Sequence, residues 1–160
     1  IATGTCTDAG SGSCECGRVM QAKVNVDNKT KANDNDLYSI SGTTLNVKHD
    51  LACVVLVEEA GGTYRRLPAE ANSASGYDFD VSGVKSGETV VIAVKGDANG
   101  DGNINNKDAN MTKAYVLGNS TPITALEEVT CDVDNKGGIL NKDANMIKSF
   151  VLGNTGHINW

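Results

Sequence analysis

The stretch "DANGDGNINNKDANM", starting at Asp97, is written again with changes as "DVDNKGGILNKDANM", starting at Asp132. Such an internal repeat constrains the fold more than any other feature of the chain, because both copies must take up the same local structure and pack as related units. Numbered over twelve positions, the first copy puts Asp97 at 1, Asn99 at 3, Asp101 at 5, Gly102 at 6, Asn103 at 7, Asn105 at 9 and Asp108 at 12. A tight loop points alternate residues inward, so these positions converge their oxygens. Gly102 stands where the chain must turn sharply.

That oxygen cage is the pattern of an EF-hand calcium loop, with Asp in place of the usual Glu at position 12. Calcium is a hard cation that takes about six to eight oxygen ligands, and here Asn103 supplies a backbone carbonyl while Asn105 is placed to hold a water. An Asx-rich turn uses the same residue types, but it explains neither the second copy nor the helix that follows each one. The second copy keeps Asp132, Asp134, Gly137 and Asp143 at positions 1, 3, 6 and 12, with Gly138 at the carbonyl position 7. It places Lys136 at position 5 and Leu140 at position 9. A protonated lysine donates and cannot ligate, so the second site is expected to be the weaker. Either Lys136 swings outward and the ion stays, or its ammonium enters the cage. Neither loop follows an amphipathic helix: "TVVIAVKG" precedes one and "EEVTC" the other. Each unit is a loop and a helix, half of an EF-hand.

The period of the sequence changes at Lys95–Gly96. Before it, "AKVNV", "TTLNVK", "LACVVLV", "TYRRL", "YDFDVSG" and "ETVVIAV" are β-branched or alternating runs that read as strands of an antiparallel, immunoglobulin-like sandwich. "DNKTKANDND" reads as a loop or a solvated edge. After the boundary, "NKDANMTKAYVLGN" and "NKDANMIKSFVLGN" read as helices ending at Gly118 and Gly153. Between them Thr121 is the expected N-cap and Pro122 the first residue of a short helix. The fold class is therefore α+β by segments, with a β half at 1–95 and a helical half at 96–160.

The net charge of −6 argues against nucleic acid as a partner, and no run is long enough to insert in a membrane. With neither an initiator Met nor a signal peptide, Ile1 reads as a processing boundary of a longer protein. Cys6, Cys14 and Cys16 crowd residues 1–20, and an oxidising compartment would favour a bridge from Cys6 to Cys14 or Cys16. A zinc knuckle there lacks a fourth ligand. Cys53, inside "LACVVLVEE", reads as a buried thiol. His49 and His157 are the only histidines, there is no nucleophile elbow or phosphate loop, and the carboxylates gather in the repeated loops. An enzyme is not expected.

Two loop–helix calcium repeats, with "GDANGDGNINNKDA" followed by "VLGN", resemble the dockerin module, which docks into cohesins of polysaccharide-degrading cellulosomes. A β-sandwich running straight into "KGDANGDG" resembles the X-module that precedes some dockerins. "TCTDAGSGSCECG" is similar to small Cys-containing repeats of bacterial surface proteins. The resemblance implies calcium as the cofactor and a cohesin of a scaffold or cell-surface protein as the partner. It also implies an extracellular location, on a cellulosome or a bacterial cell surface. The competing reading is an extracellular adhesin or carbohydrate-binding module with a calcium-binding cap; Trp160, the single tryptophan, is poor provision for sugar stacking.

Helical spacing puts Ala109, Thr112 and Val116 on one face, and Ala144, Ile147 and Val151 on the matching one, expected to pack the two helices together. Dockerins resembling this chain meet cohesin through loop positions 10 and 11 and the outer helix face. Carried over, these are Asn106, Lys107, Met111, Lys113 and Ala114, then Asn141, Lys142, Met146, Lys148 and Ser149, with Tyr115 and Phe150 at the edges. The plainer reading of Met111 and Met146 is gap filling against the β half or the short middle helix. Matching faces suggest docking in either of two orientations.

Overall fold

The computed structural model describes residues 24–48, 52–71 and 76–154. Cys6, Cys14, Cys16, His49, His157 and Trp160 lie outside the described residues. The chain runs β1 (Asn25–Asn28), α1 (Asp34–Leu37), β2 (Tyr38–Ser41), β3 (Thr44–Val47), β4 (Cys53–Glu58), β5 (Tyr64–Arg66), β6 (Glu70–Ala71), β7 (Tyr77–Asp80) and β8 (Thr89–Val94). It then turns helical with α2 (Asn106–Val116), α3 (Ala125–Cys131) and α4 (Asn141–Val151).

Two four-stranded sheets form, in the orders β1-β8-β4-β5 and β2-β3-β7-β6. The alternating runs explain them. Leu45, Val47 and Phe79 point from one sheet, and Cys53, Val55, Val57, Val90 and Ile92 from the other, into a shared core closed by Leu37. Two sheets packed on one core are present, with one correction to the expected antiparallel pairing. β1 pairs with β8 in parallel, Asn25 opposite Thr89 through Asn28 opposite Ile92, while every other pairing is antiparallel. β1 therefore adds to the edge beside the strand that leads into the helical half. The polar stretch expected to be a loop or a solvated edge begins in this edge strand and ends in the single turn of α1.

β4 and β8 are buried on both faces, which is why they read as unbroken apolar runs. Their second face, Val54, Leu56, Val91 and Ala93, is covered by Leu126 and Val129 of α3 and by Tyr64. The result is three layers: sheet, sheet, helix. A third cluster holds the repeats together, with Ala98, Ala109, Cys131, Val133 and Ile147 at its centre. The stripes expected to join α2 and α4 do so: Ala109, Thr112, Ala144 and Ile147 are buried, Val116 and Val151 half-buried. Cys53 and Cys131 are buried free thiols whose pKa burial pushes up to about 12, so they act as small hydrophobes.

Both long helices end as expected. Gly118 (φ +75°) and Gly153 (φ +91°) take left-handed conformations after the last turn. Asn119 N–H donates to the Ala114 carbonyl at 3.0 Å and Asn154 N–H to that of Ser149 at 3.0 Å, satisfying carbonyls the helix leaves open. The short helix starts later than expected. Its N-cap is Thr124 rather than Thr121, and Pro122 lies in the non-helical segment before it. Glu127 decides this: its Oε2 accepts from the Thr124 N–H at 2.8 Å, the reciprocal half of a capping box.

Candidate functional site

The two loops are built on the same plan and share most of their bonds. In the first, Asp97 Oδ1 accepts from Asp101 N–H at 3.2 Å and Oδ2 from Gly102 N–H at 2.7 Å. Asp108 Oδ1 accepts from Ala98 and Asn99 N–H at 3.1 and 3.3 Å, and Oδ2 from Asn105 N–H at 2.7 Å. In the second, Asp132 accepts from Lys136 and Gly137 N–H at 3.1 and 2.9 Å, and Asp143 from Asp134 and Leu140 N–H at 3.2 and 2.8 Å. Positions 1 and 12 thus pin each loop, and position 12 also caps the helix behind it. The sharp bend falls where Gly102 has φ +78°, and a Cβ there would come within 3.1 Å of the Lys29 carbonyl. Gly100 (φ +67°) has as its counterpart Asn135 at φ +54°, one of the few non-glycine types that tolerate this region.

The inward side chains differ. Asn99 and Asp101 of the first loop accept from Asp101 and Asn103 N–H at 2.9 and 3.0 Å. In the second loop Asp134 accepts from Lys136 N–H at 3.2 Å, and the Lys136 side chain is exposed. The lysine that reaches a loop carboxylate is a different one: Lys142 Nζ lies 2.9 Å from Asp134 Oδ2. Sequence reasoning weighed only Lys136, because Lys142 stands outside the alternating ligand positions. Its hydrogen bond holds the Asp134 carboxyl below its ordinary pKa.

These residues fit a divalent cation. Asp97, Asp108 and Asp143 are buried carboxyls, and among the described residues no ion pair offsets Asp97 or Asp108. Burial pushes Asp97 up to about 6; the Gly102 N–H opposes the shift and the neighbouring Asp108 charge adds to it. Burial likewise raises Asp108. A cation removes that penalty by compensating the charges directly. In the second loop Asp132, Asp134 and Asp143 each offer a ligand atom within 4.8 Å of the others. An all-oxygen set of this kind suits calcium rather than a soft metal.

The sandwich braces both loops. Gly96 N–H donates to the Thr130 carbonyl at 2.8 Å, tying the exit of β8 to α3. Arg66 of β5 donates from Nη2 to the carbonyls of Val129 and Asp132 at 2.7 and 3.3 Å, holding the start of the second loop.

The residues expected at a docking face are spread over different environments. Asn106, Lys107, Lys113, Asn141, Lys142 and Lys148 are exposed, and Lys113 Nζ donates to Asn141 Oδ1 at 2.7 Å, bridging α2 to the start of α4. Ala114 and Ser149 are half-buried. Met111, Met146 and Phe150 pack partly buried against the helical core, and Tyr115 donates its hydroxyl to Glu128 of α3. The methionines are thus half-covered by the helical core, with part of each left at the surface. Among the described residues of the helical half, the large apolar side chains that stand in solvent are others: Leu117 (63% exposed), Leu140 (60%) and Leu152 (67%). Leu117 and Leu152 occupy the same place in the two copies, and the repeated "VLGN" was the available signal.

Residues 95–152 match the family model of the Dockerin type I domain. The match begins at Lys95, two residues before the first loop, and ends just past α4. Domains of this family bind calcium and assemble by docking onto cohesins, so the dockerin segment is an assembly module in its coarse function. The match spans well under half of the chain, and residues 1–94 lie outside it. No curated protein and no solved structure matches the chain. No helix among the described residues is long and apolar enough to cross a membrane.

Proposed function

We propose that this chain is an extracellular, non-catalytic assembly unit that tethers its parent protein to a cohesin of a cellulosome scaffold or cell surface. The observation that carries this reading is the repeated pair of exposed leucines, Leu117 and Leu152, each following a helix that carries an exposed lysine, Lys113 or Lys148. Apolar anchors with a charged rim are the composition of a docking face. Calcium would be held by Asp97, Asn99, Asp101, Asp108 and the Asn103 carbonyl in one loop, and by Asp132, Asp134, Asp143 and the Gly138 carbonyl in the other. Its chemistry is to neutralise converging carboxylates. The chain's residues do the rest: positions 1 and 12 lock each loop to its helix, α2 and α4 present the leucines and lysines, and the sandwich holds α3 beneath them. The sandwich itself reads as an immunoglobulin-like X-module whose role is support.

The test is a pull-down on a panel of cohesins with and without chelator, beside a polysaccharide gel-shift. Calcium-dependent cohesin capture is expected; retention by polysaccharide without any cohesin binding would favour the adhesin reading. Leu117→Asp or Leu152→Asp places a charge in the desolvated contact, a loss of a few kcal/mol where that face is used. If the module docks in either orientation, each single variant binds and the double variant fails.

A further inference from the structure

We propose that Lys142 couples the cation of the second loop to the docking face, holding Asp134 when the loop is empty and presenting its ammonium to a partner when the loop is filled. The inference rests on reading the second loop as a calcium loop and position 11 as a docking position. Lys142 stands at position 11, one residue into α4, and reaches back across the loop to the position-3 carboxylate at 2.9 Å. The Lys142 side chain is 58% exposed and that of Asp134 13%, so an ammonium rooted at the surface is drawn onto a half-buried carboxylate at the mouth of the loop. That carboxylate belongs to the cluster of three whose ligand atoms lie within 4.8 Å of one another. Negative charge engaged by an ammonium at hydrogen-bonding distance is less available to a second cation beside it. The two compete for Asp134 even where each uses a different oxygen.

The pair belongs to this copy alone. In the first loop position 3 is the neutral Asn99, and among the described residues Lys107 at position 11 makes no ion pair. Nearly identical helix starts thus present different surfaces: Lys107 stands in solvent whatever the loop holds, and Lys142 only after it gives up Asp134. By reciprocity, an acidic group on a partner that takes the Lys142 ammonium must tighten the second calcium site by the same factor as calcium favours that contact.

The test needs calcium alone and no partner. The chelated full chain is titrated calorimetrically as wild type, as Lys142→Met, which keeps the apolar stem, and as Lys85→Met, a charge-matched control in the sandwich. Lys142→Met is expected to tighten the second site about three- to tenfold and leave the first unchanged, since it removes one positive charge beside one ligand. Lys85→Met should change neither. The NMR signal of the Lys142 side-chain amine in the wild type should shift as the second site fills. A second site unchanged or weakened by Lys142→Met, an equal effect of Lys85→Met, or an unmoved Lys142 signal would overturn the coupling while leaving two calcium sites standing. A single binding event in both wild type and Lys142→Met would instead overturn the calcium reading of the second loop.

Discussion

The two repeated loops share their backbone and differ in their charge. Asp97 and Asp132 each receive the N–H groups four and five residues further on, in the same order, and Asp108 and Asp143 seal the same helix start. Yet Asp101 is replaced by Lys136 and Asn105 by Leu140, and the remaining carboxylate moves from position 5 to position 3 as Asp134. The comparison teaches that loop shape is carried by positions 1, 6 and 12, whereas the strength of cation binding is carried by positions 3, 5 and 9. A sequence can lose the second set without losing the first.

Chelation removes what the loops have in common and should have the largest effect. Each site held at a thousand times its dissociation constant adds about 4 kcal/mol, and helices of about three turns are marginal alone. Circular dichroism should show loss of helix on adding chelator, recovered with calcium; an unchanged spectrum would mean that packing on the sandwich suffices.

Next in size is the loss of a position-12 carboxylate. Asp108→Ala frees three N–H groups at a fully buried position and Asp143→Ala frees two. Each should cost about 3 kcal/mol or more through unsatisfied donors and a lost helix cap, the first more than the second. Chemical denaturation in saturating calcium measures both. Equal and small losses would show that the shared bonds are incidental.

Much of this arrangement was legible before the structure. Alternation in "YDFDV" and the apolar runs "CVVLV" and "TVVIAV" marked the main strands, and the repeat marked loops, helices and their glycine stops. What escaped notice followed from long-range pairing. β2 and β6 are short strands that exist through β3 and β7, and the parallel β1–β8 pair has no local signature. The doubly buried runs were a sign that something must cover the outer sheet face, but only the fold shows that α3 does so. Thr121–Pro122 drew attention from the capping box at Thr124–Glu127, which was equally visible. At the site, the position-by-position ligand pattern was readable from spacing. The exposure of Leu117 and Leu152 and the partial covering of Met111 and Met146 were not, because helical periodicity does not tell which residues at the rim of a face are covered.

A smaller effect should separate the loops by their support. Arg66 braces only the second, through the Val129 and Asp132 carbonyls. Arg66→Met keeps apolar bulk and removes these charged hydrogen bonds, a loss of about 1–2 kcal/mol. Calcium affinity should fall at the second site and hold at the first. Equal weakening of both would mean that the sandwich supports the loops as one body.

The central claim, one scaffold with two unequal charges, is tested most directly by calorimetric titration of the chelated protein with calcium, alongside Lys136→Asp. The account predicts two binding events of different affinity in the unmodified chain, with the weaker one tightened at least about tenfold by Lys136→Asp, which replaces a repelling cation by a ligand. Two indistinguishable tight sites in the unmodified chain, unmoved by Lys136→Asp, would contradict it.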